Sequence, residues 1–454
     1  MMSHADSFKQ YTALWHEHRA GRKSASDFID GINRRGYEAA VKAAEAYHSD
    51  PTGVEPVSPH ALAAPDYGVN IFGVDTPADI DSALRCGVTT INSLPAVVAN
   101  DSFLPTDELT VNLPEGVTVC SLRSVPAHLQ KAVAKALETT DLASALNAML
   151  LSDGVLVHLA KGAHLERPLQ LVNIAASTSP MLSARRIVIL ADEGSDMRLL
   201  LCDHTLSETV EQLSLEVIDV LVAPNASVEL YDIEENTSVS RRWWRLNVHQ
   251  AADSRFSAHT IYLHGGITRN EYNINVEGDH AETVLGGLAI CAGAQIVDNQ
   301  VTLRHSACHC TSRQLFKNAL YDESRGGFGG KIIVEEGAAF TDAVQTNRNL
   351  LIGETARMTA APQLEIYCDE VKCGHGATTG QLDDRAMFYM QSRGIPATEA
   401  RNMLTQAFMA DVIDNISYEV LRQRLHVLVE KRLSGAAASC DACASACRSI
   451  KNQD

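Results

Sequence analysis

Two hydrophobic periods alternate along the chain. Near the N-terminus, Phe8, Tyr11, Leu14 and Trp15 recur at helical spacing, and the alanine-rich residues 26–48 predict a second helix that begins at Ser26. From residue 154 onward, apolar and polar residues alternate with a period of two, which predicts short strands. Clear examples are residues 188–190, 228–231 and 272–276. The helical period returns after residue 376, so the pattern predicts helices, then strands, then helices.

Further helices are predicted on both sides of the strand region. Residues 76–86 and 126–149 have helical character, the second opened by a proline suited to a first turn, and residues 51–75 read as a linker. At the C-terminal side, a helix over 383–393 ends before Gly394, and another covers 418–433.

The turns between the strands resemble one another, and several are about thirty residues apart. They fall at residues 160–163, 192–195, 223–226, 276–279, 291–294 and 335–338. A repeated strand and turn favours a right-handed parallel β-helix, a solenoid in which each coil buries its inner face on its neighbours. An antiparallel β-sandwich is the alternative. The predicted domains are 1–110 (helical region with linker), 111–375 (β-helix core with the inserted helix 126–149), 376–436 (helical domain) and 437–454 (flexible tail with cysteines).

Composition narrows the classes of function. The chain has 454 residues, 45% of them hydrophobic, and a net charge of −18, which disfavours a nucleic-acid binder. The first residues lack the basic and apolar segments of a signal peptide, and no apolar run is long enough to cross a membrane. Eleven scattered cysteines then predict reduced thiols in a cytoplasmic protein.

One strand carries candidate metal ligands. Cys373 and His375 are two residues apart, so strand alternation places both side chains on one face. Sulfur and imidazole nitrogen suit iron, zinc or an iron–sulfur cluster. The alternative is a buried thiol beside a hydrogen-bonded histidine. Cys368, close by, has no predicted role.

Three other motifs are weaker candidates. Cys308 and Cys310 flank a histidine that would point to the opposite face, which favours a structural role. Residues 326–331 are glycine-rich like a phosphate loop, but Arg325 and Ile332 replace required residues, so no nucleotide is expected there. The tail offers three thiols for metal binding or sulfur relay, unless they are simply reduced and unpaired: Cys440, Cys443 and Cys447.

The segment around Cys373 resembles the C-terminal signature of the SufB/SufD family. The resemblance in order and spacing covers residues 309–314, 317, 328–332, 341–343, 345–351, 362–367, 373–383, 388–389 and 392–395. SufB-type chains carry a cysteine where Asn347 stands and glutamates where Gly374 and Gly376 stand. These differences favour the SufD branch.

The resemblance implies a non-catalytic scaffold subunit for iron–sulfur cluster assembly. It implies pairing with SufB through the β-helix, with His375 and Cys373 contributing to a transient cluster or iron shared with SufB. It also implies that a SufC ATPase binds the C-terminal helices, so that this chain needs no nucleotide. The docking residues it points to are Asp383, Phe388, Tyr389, Arg393, Gly394 and Phe408.

Two alternatives remain open at this point. The chain could act as a SufB-like scaffold on its own, as a homodimer. It could also be a carbohydrate-active β-helix protein, although an aromatic content of 5% suits that class poorly.

Overall fold

The computed structural model describes residues 6–21, 26–46, 56–65, 67–68, 91–138, 141–205 and 207–435. The predicted helix 76–86 and the predicted tail 437–454, with its three cysteines, lie outside these ranges. The helices are α1 (Asp6–Gly21), α2 (Asp27–Ala46), α3 (Pro59–Ala63), α4 (Asp107–Asn112), α5 (Gln130–Ala136), α6 (Leu142–Leu150), α7 (Asp384–Ser392), α8 (Ala397–Asp414) and α9 (Glu419–Leu433), with a 3₁₀ turn at Leu122–Ser124.

The strands alternate between two stacked sheets. They are β1 (Leu94–Ala99), β2 (Ser102–Pro105), β3 (Val117–Ser121), β4 (Val155–Leu159), β5 (Leu169–Ala175), β6 (Met181–Ala191), β7 (Asp196–Thr205), β8 (Gln212–Val222), β9 (Ser227–Glu235), β10 (Ser240–Gln250), β11 (Arg255–His264), β12 (Ile267–Val276), β13 (Glu282–Cys291), β14 (Ile296–His305), β15 (Thr311–Leu320), β16 (Arg325–Val334), β17 (Asp342–Leu351), β18 (Arg357–Ile366) and β19 (Lys372–Gly380).

The strand order identifies the fold as a β-solenoid. One sheet has ten strands in the order β19-β17-β15-β13-β11-β9-β7-β5-β1-β2, and the other has nine in the order β18-β16-β14-β12-β10-β8-β6-β4-β3. Each strand from β4 onward pairs in parallel with the next strand of its sheet. One coil of the chain separates such neighbours: the Asn270 side chain on β12 donates to the Asn299 side chain on β14, 29 residues further along. Each coil therefore adds one strand to each sheet. The predicted solenoid is confirmed, and the β-sandwich alternative is wrong.

The turns follow the predicted pattern with one difference. Four of the six predicted turns contain a residue with positive φ: Gly162, Gly194, Asn225 and Gly293. In the other two turns, the left-handed residue lies further along, at His280 and Phe340. Such a backbone is unusual for bulky side chains. Their rings pack against His309, whose ring centroid lies 5.0 Å from that of His280 and 4.6 Å from that of Phe340.

Some boundaries differ from the predicted ones. Strands begin at Leu94, inside the region predicted as helical, and continue to Gly380 rather than 375. The predicted helix 126–149 is two helices, because the Asp141 side chain accepts a hydrogen bond from the Ser144 backbone N–H and starts α6 as a new helix. No helix in the described part of the chain combines the length and apolar character that a bilayer crossing requires.

The terminal helices pack on opposite outer faces of the solenoid. α1, α2 and α6 cover the nine-stranded sheet around Trp243, which is 1% exposed. α8 and α9 cover the ten-stranded sheet through residues such as Val412 and Leu425. Lys317 anchors α8, since its ammonium group donates to the Phe408 carbonyl and pairs with Asp411.

The interior of the solenoid is apolar along one side and charged along part of the other. The apolar side holds large rings such as Trp244, Tyr272 and Phe328. Two arginines and four carboxylates form the charged cluster: Arg185, Arg242, Asp203, Glu216, Asp232 and Glu234. All six side chains are buried. Arg242 is central, since its guanidinium nitrogens lie 2.9 Å from Asp203 and 2.8 Å from Asp232.

The charged cluster holds protons near neutral pH because its carboxylates are buried and outnumber the arginines. Burial, reinforced by Asp203, raises the pKa of Glu216 to about 8. Burial also raises the pKa of Glu234 to about 7. The folded state then binds protons that the unfolded state, with glutamate pKa values near 4.5, releases. The free energy of unfolding should therefore fall as pH rises from about 4.5 toward 8.

We predict that Glu216→Gln weakens this pH dependence. The amide can still accept the hydrogen bond from Asn173, whose Nδ2 lies 2.8 Å from Glu216 Oε2, but it does not titrate. Between about pH 5 and pH 8, the variant should lose about 2–4 kcal/mol less unfolding free energy than the wild type. Urea unfolding at several pH values measures this difference. The exposed Glu193→Gln is the control, and parallel curves for Glu216→Gln and the wild type would contradict the prediction.

Candidate functional site

The two ends of the solenoid differ in how they are covered. At the N-terminal end, β2 and β3 pair antiparallel to β1 and β4, and α4 lies against the interior. Leu109 on α4 is 1% exposed, and Phe103 and Val117 also belong to the interior cluster. This end is closed by the chain itself.

The C-terminal end is open in the described part of the chain. β18 and β19 are the outermost strands of their sheets, each with a neighbour on one side only. Their inward residues are partly or fully exposed, as at Ala360 and Leu364, whereas Phe328 and Ile332, one coil earlier, are fully buried. α7 follows β19 directly but buries none of its residues. Hence no described element covers this end.

Cys373 and His375 lie side by side on this open end. In the register of β17 and β19, Cys373 pairs with Ala343 and His375 with Gln345. Ala343 and Gln345 are buried and face the interior, so Cys373 and His375 face the interior side of the last coil. Cys373 is half-buried, while His375 is exposed. The prediction that strand alternation puts both on one face agrees with this register.

A polar ladder lies beneath His375. Gln345 donates from Nε2 to Gln314 Oε1 at 3.0 Å, and both amides are buried. In the neighbouring ladder, Asn349 donates to Thr379 Oγ1 at 3.3 Å. The interior of the last coils is therefore polar where it reaches the imidazole, and such a surface accommodates a charged or hydrated ligand better than an apolar one.

The protonation of Cys373 bears on ligand binding. Burial raises the pKa of its thiol, and the neighbouring Asp342 carboxylate and Cys368 thiol add to this effect. The thiol is therefore protonated near neutral pH, and a cation that binds it must displace the proton. Cys373 and His375 remain a pair, because no three His, Cys, Asp or Glu side chains within the described ranges come together as a metal site.

Two of the three weaker motifs lie in the described part of the chain. The Cys308 thiol donates to the Gly337 carbonyl at 3.1 Å and the Cys310 thiol to the Gly278 carbonyl at 3.2 Å, so the two point toward opposite neighbouring coils. The glycine-rich residues 326–331 lie within strand β16 rather than in a loop.

The predicted docking residues fall into two groups. Asp383 caps α7 by accepting from the Arg385 backbone N–H, and Gly394 ends it with φ of 88°. On this helix, Phe388 and Tyr389 are 74% and 59% exposed, and the Arg393 guanidinium lies 5.2 Å from the centre of the Tyr389 ring. The remaining residue, Phe408, is half-buried against the ten-stranded sheet beneath the Lys317 ammonium, 4.7 Å from its ring centre. Only the first group offers an apolar surface.

Two residues near the site were not predicted from the sequence. Gln345 lies under His375, and Cys368, like Cys373, packs against the buried cluster that includes Ile332 and Ala343. Both contacts depend on the register between coils, which is not local in the sequence. The sequence offered one signal for the second contact, namely a cysteine, Cys368, five residues before Cys373.

Comparisons with known families agree with this architecture. Residues 173–408 match the model described as SUF system FeS cluster assembly, SufBD core domain, and residues 5–171 match the SufBD protein N-terminal region. The first match spans the solenoid coils from β5 onward and continues into α8.

Individual relatives point the same way. The chain is 34% identical to the iron–sulfur cluster assembly protein SufD of Escherichia coli over 216 residues, which is 48% of this chain and 51% of that protein. It is 26% identical over 355 residues to a SufBD family protein of Synechocystis, covering 74% and 77% of the two chains. SufD of Bacillus subtilis is 25% identical over 291 residues, 64% of this chain and 66% of the relative.

The fold thus defines a helix-flanked β-solenoid with a sulfur–imidazole pair at one open end. With both family models matched, the chain belongs to the SufBD family of iron–sulfur cluster assembly proteins, and its relatives make it SufD-like.

Proposed function

We propose that the chain is a non-catalytic scaffold subunit whose open solenoid end pairs with a SufB-like chain and shares iron or a nascent iron–sulfur cluster with it. The observation that carries the proposal is the contrast between the closed N-terminal end and the open C-terminal end. Unpaired strand edges and exposed inward side chains are costly to leave in water and invite another chain to cover them.

The ligand chemistry supports a shared site. Cys373 and His375 supply one thiol and one imidazole, which suit iron and clusters but leave the coordination incomplete. Iron in a cluster is commonly held by several thiolates. A SufB-like partner at the same end would add the missing ligands and exclude water from the polar ladder under His375.

We predict that His375→Ala lowers the iron and sulfide content of the complex co-expressed with SufB-like and SufC-like chains. Loss of one of the two ligands proposed for this chain should weaken iron binding by about tenfold or more, so that less iron stays bound during purification. The anaerobically purified complex is analysed for iron and acid-labile sulfide. Since His375 is exposed and packs little, the subunit should keep its unfolding midpoint.

The control for this experiment is His164→Ala, an exposed histidine with 63% side-chain exposure that lies in an early coil. It should leave iron and sulfide unchanged. Full cluster content in the His375→Ala complex, at normal subunit level, would overturn the proposed site.

The open end itself can be tested by placing a charge on it. Ala377 lies on β19 two residues beyond His375, is exposed, and pairs with the buried Asn347 on one side only. We predict that Ala377→Lys weakens co-purification with the SufB-like chain by at least about tenfold, because a charged edge resists pairing. Val111→Lys, on the exposed side of α4 at the closed end, is the control.

The same variant also distinguishes pairing with a SufB-like chain from the alternative of a self-sufficient homodimer. A homodimer would persist without a SufB-like chain and would also be lost on Ala377→Lys. Unchanged pairing with the SufB-like chain in Ala377→Lys would show that this end is not the interface.

We further propose that a SufC-like ATPase docks on α7. The supporting observation is that α7 buries none of its residues and presents two exposed aromatic rings, Phe388 and Tyr389, beside Arg393. Aromatic and arginine side chains are the residue types that most often dominate binding energy at interfaces. ATP-driven movement of such a partner would then act on the helix directly after β19.

We predict that Phe388→Ala reduces the affinity for the SufC-like ATPase by about tenfold or more. Calorimetric titration of the purified ATPase into this subunit measures the affinity. Val420→Ala on α9, whose side chain is 46% exposed, is the matched control and should bind as the wild type does. Equal affinities for both variants and the wild type would place the docking surface elsewhere.

A further inference from the structure

Cys368 lies in the last turn of the solenoid and Cys373 at the start of the strand that follows it. The register pairs Val334 with Ile366 and Asp342 with Lys372, so this turn has five residues, 367–371, where the coil before has seven, 335–341. Cys368 is the second residue of the short turn. Cys373 has the position of Ala343, one residue after the strand start.

In the preceding coil, two alanines at the corner of the turn are buried. Ala338 and Ala343 are both 0% exposed and belong to one packed cluster with Ile332. Cys368 and Cys373 pack against this same cluster from the last coil. Two thiols therefore lie on one small apolar cluster at the open end of the solenoid.

The two thiols share their packing partners and their exposure to solvent. Both side chains pack against the same four buried residues, Ile332, Val334, Ala338 and Ala343. Both side chains are partly exposed, because no described element lies over this end. A small reagent in solution can reach them.

We propose that Cys368 and Cys373 form a dithiol that a small-molecule disulfide converts reversibly into an intrachain disulfide. One protein thiolate attacks the reagent, breaks its S–S bond and releases one small thiol. The second protein thiolate then attacks the sulfur of the mixed disulfide and releases the other small thiol. The two thiol protons of the protein and one electron pair end on the two released thiols, so the exchange balances.

The other cysteine pair in a neighbouring turn shows what distinguishes this one. Cys308 and Cys310 are also close in sequence, but their thiols donate to carbonyls of the following and the preceding coil, at Gly337 and Gly278. Side chains that point apart cannot meet the narrow geometry of a disulfide without backbone movement. This pair is therefore an internal control in the same chain.

Disulfide formation would also withdraw Cys373 from metal binding. This consequence rests on the proposed function, whereas the dithiol chemistry does not. The disulfide would leave His375 alone at the open end, so the site would bind iron only under reducing conditions.

The test uses the reduced full chain exposed to oxidised glutathione, followed by alkylation of the remaining thiols and non-reducing tryptic digestion. Cleavage after Arg357, Lys372 and Arg385 separates the two cysteines onto peptides 358–372 and 373–385. The expected product is these two peptides joined, lighter by two hydrogen atoms than their sum. Cys308 and Cys310 should stay alkylated.

Three variants make the result specific. Cys368→Ser should abolish the joined peptide and leave Cys373 as a mixed disulfide with glutathione. Cys120→Ser, a partly buried cysteine elsewhere, should keep the joined peptide. His375→Ala should also keep it, so failure of the proposed iron site does not affect this test.

Other outcomes would overturn the inference. In the first, Cys368 and Cys373 are both found alkylated after oxidation. In the second, the wild type stops at a mixed disulfide with glutathione and no joined peptide forms. In the third, Cys373 is joined to the peptides that carry Cys440, Cys443 or Cys447.

Discussion

The structure depends on one constraint: every coil must have its strand edges and inward side chains covered by the next coil. The parallel registers satisfy this requirement from β4 to β17, where inward residues such as Leu230 and Phe316 are almost fully buried. Helices on the two outer faces leave the stacking direction free. At the N-terminal end, antiparallel strands and α4 end the stack. At the other end no described element meets the requirement, and Cys373 and His375 lie there.

The interior changes character along the axis in a way that fits this asymmetry. Its middle holds the charged cluster around Arg242. Because these side chains are buried away from water, the charge on each carboxylate is stabilised by its neighbours in the cluster. Toward the open end, neutral amides replace the charges, and Gln314 and Gln345 form the last hydrogen bond under His375. A neutral polar floor neither repels a cation nor competes with sulfur for it. At this end the imidazole of His375 is exposed and the thiol of Cys373 is half-buried.

Local patterns predicted most of the architecture, and non-local contacts account for what they missed. Turn residues that tolerate positive φ, such as Asn225, revealed the repeat, and alternation placed Cys373 beside His375 correctly on one face. The left-handed His280 gave no such signal, since ring stacking between coils stabilises a backbone that its side chain disfavours. The packing of Cys368 against the cluster around Ile332 and Ala343 likewise depends on how the last turn stacks on the previous coil. The predicted domain limits, the iron chemistry and the partners stay predictions.

The connection between β19 and α7 links the two proposed surfaces mechanically. Only residues 381–383 separate the strand that carries His375 from the helix that exposes Phe388. α8 and α9 are fixed to the ten-stranded sheet, for example by Arg432, whose Nε donates to the Leu263 carbonyl at 2.6 Å. α7 has no buried residue of its own, so it can move against this fixed base at little cost. If an ATPase binds α7 as proposed, its movement would act first on the outermost, least covered strand of the solenoid, where a shared cluster would form.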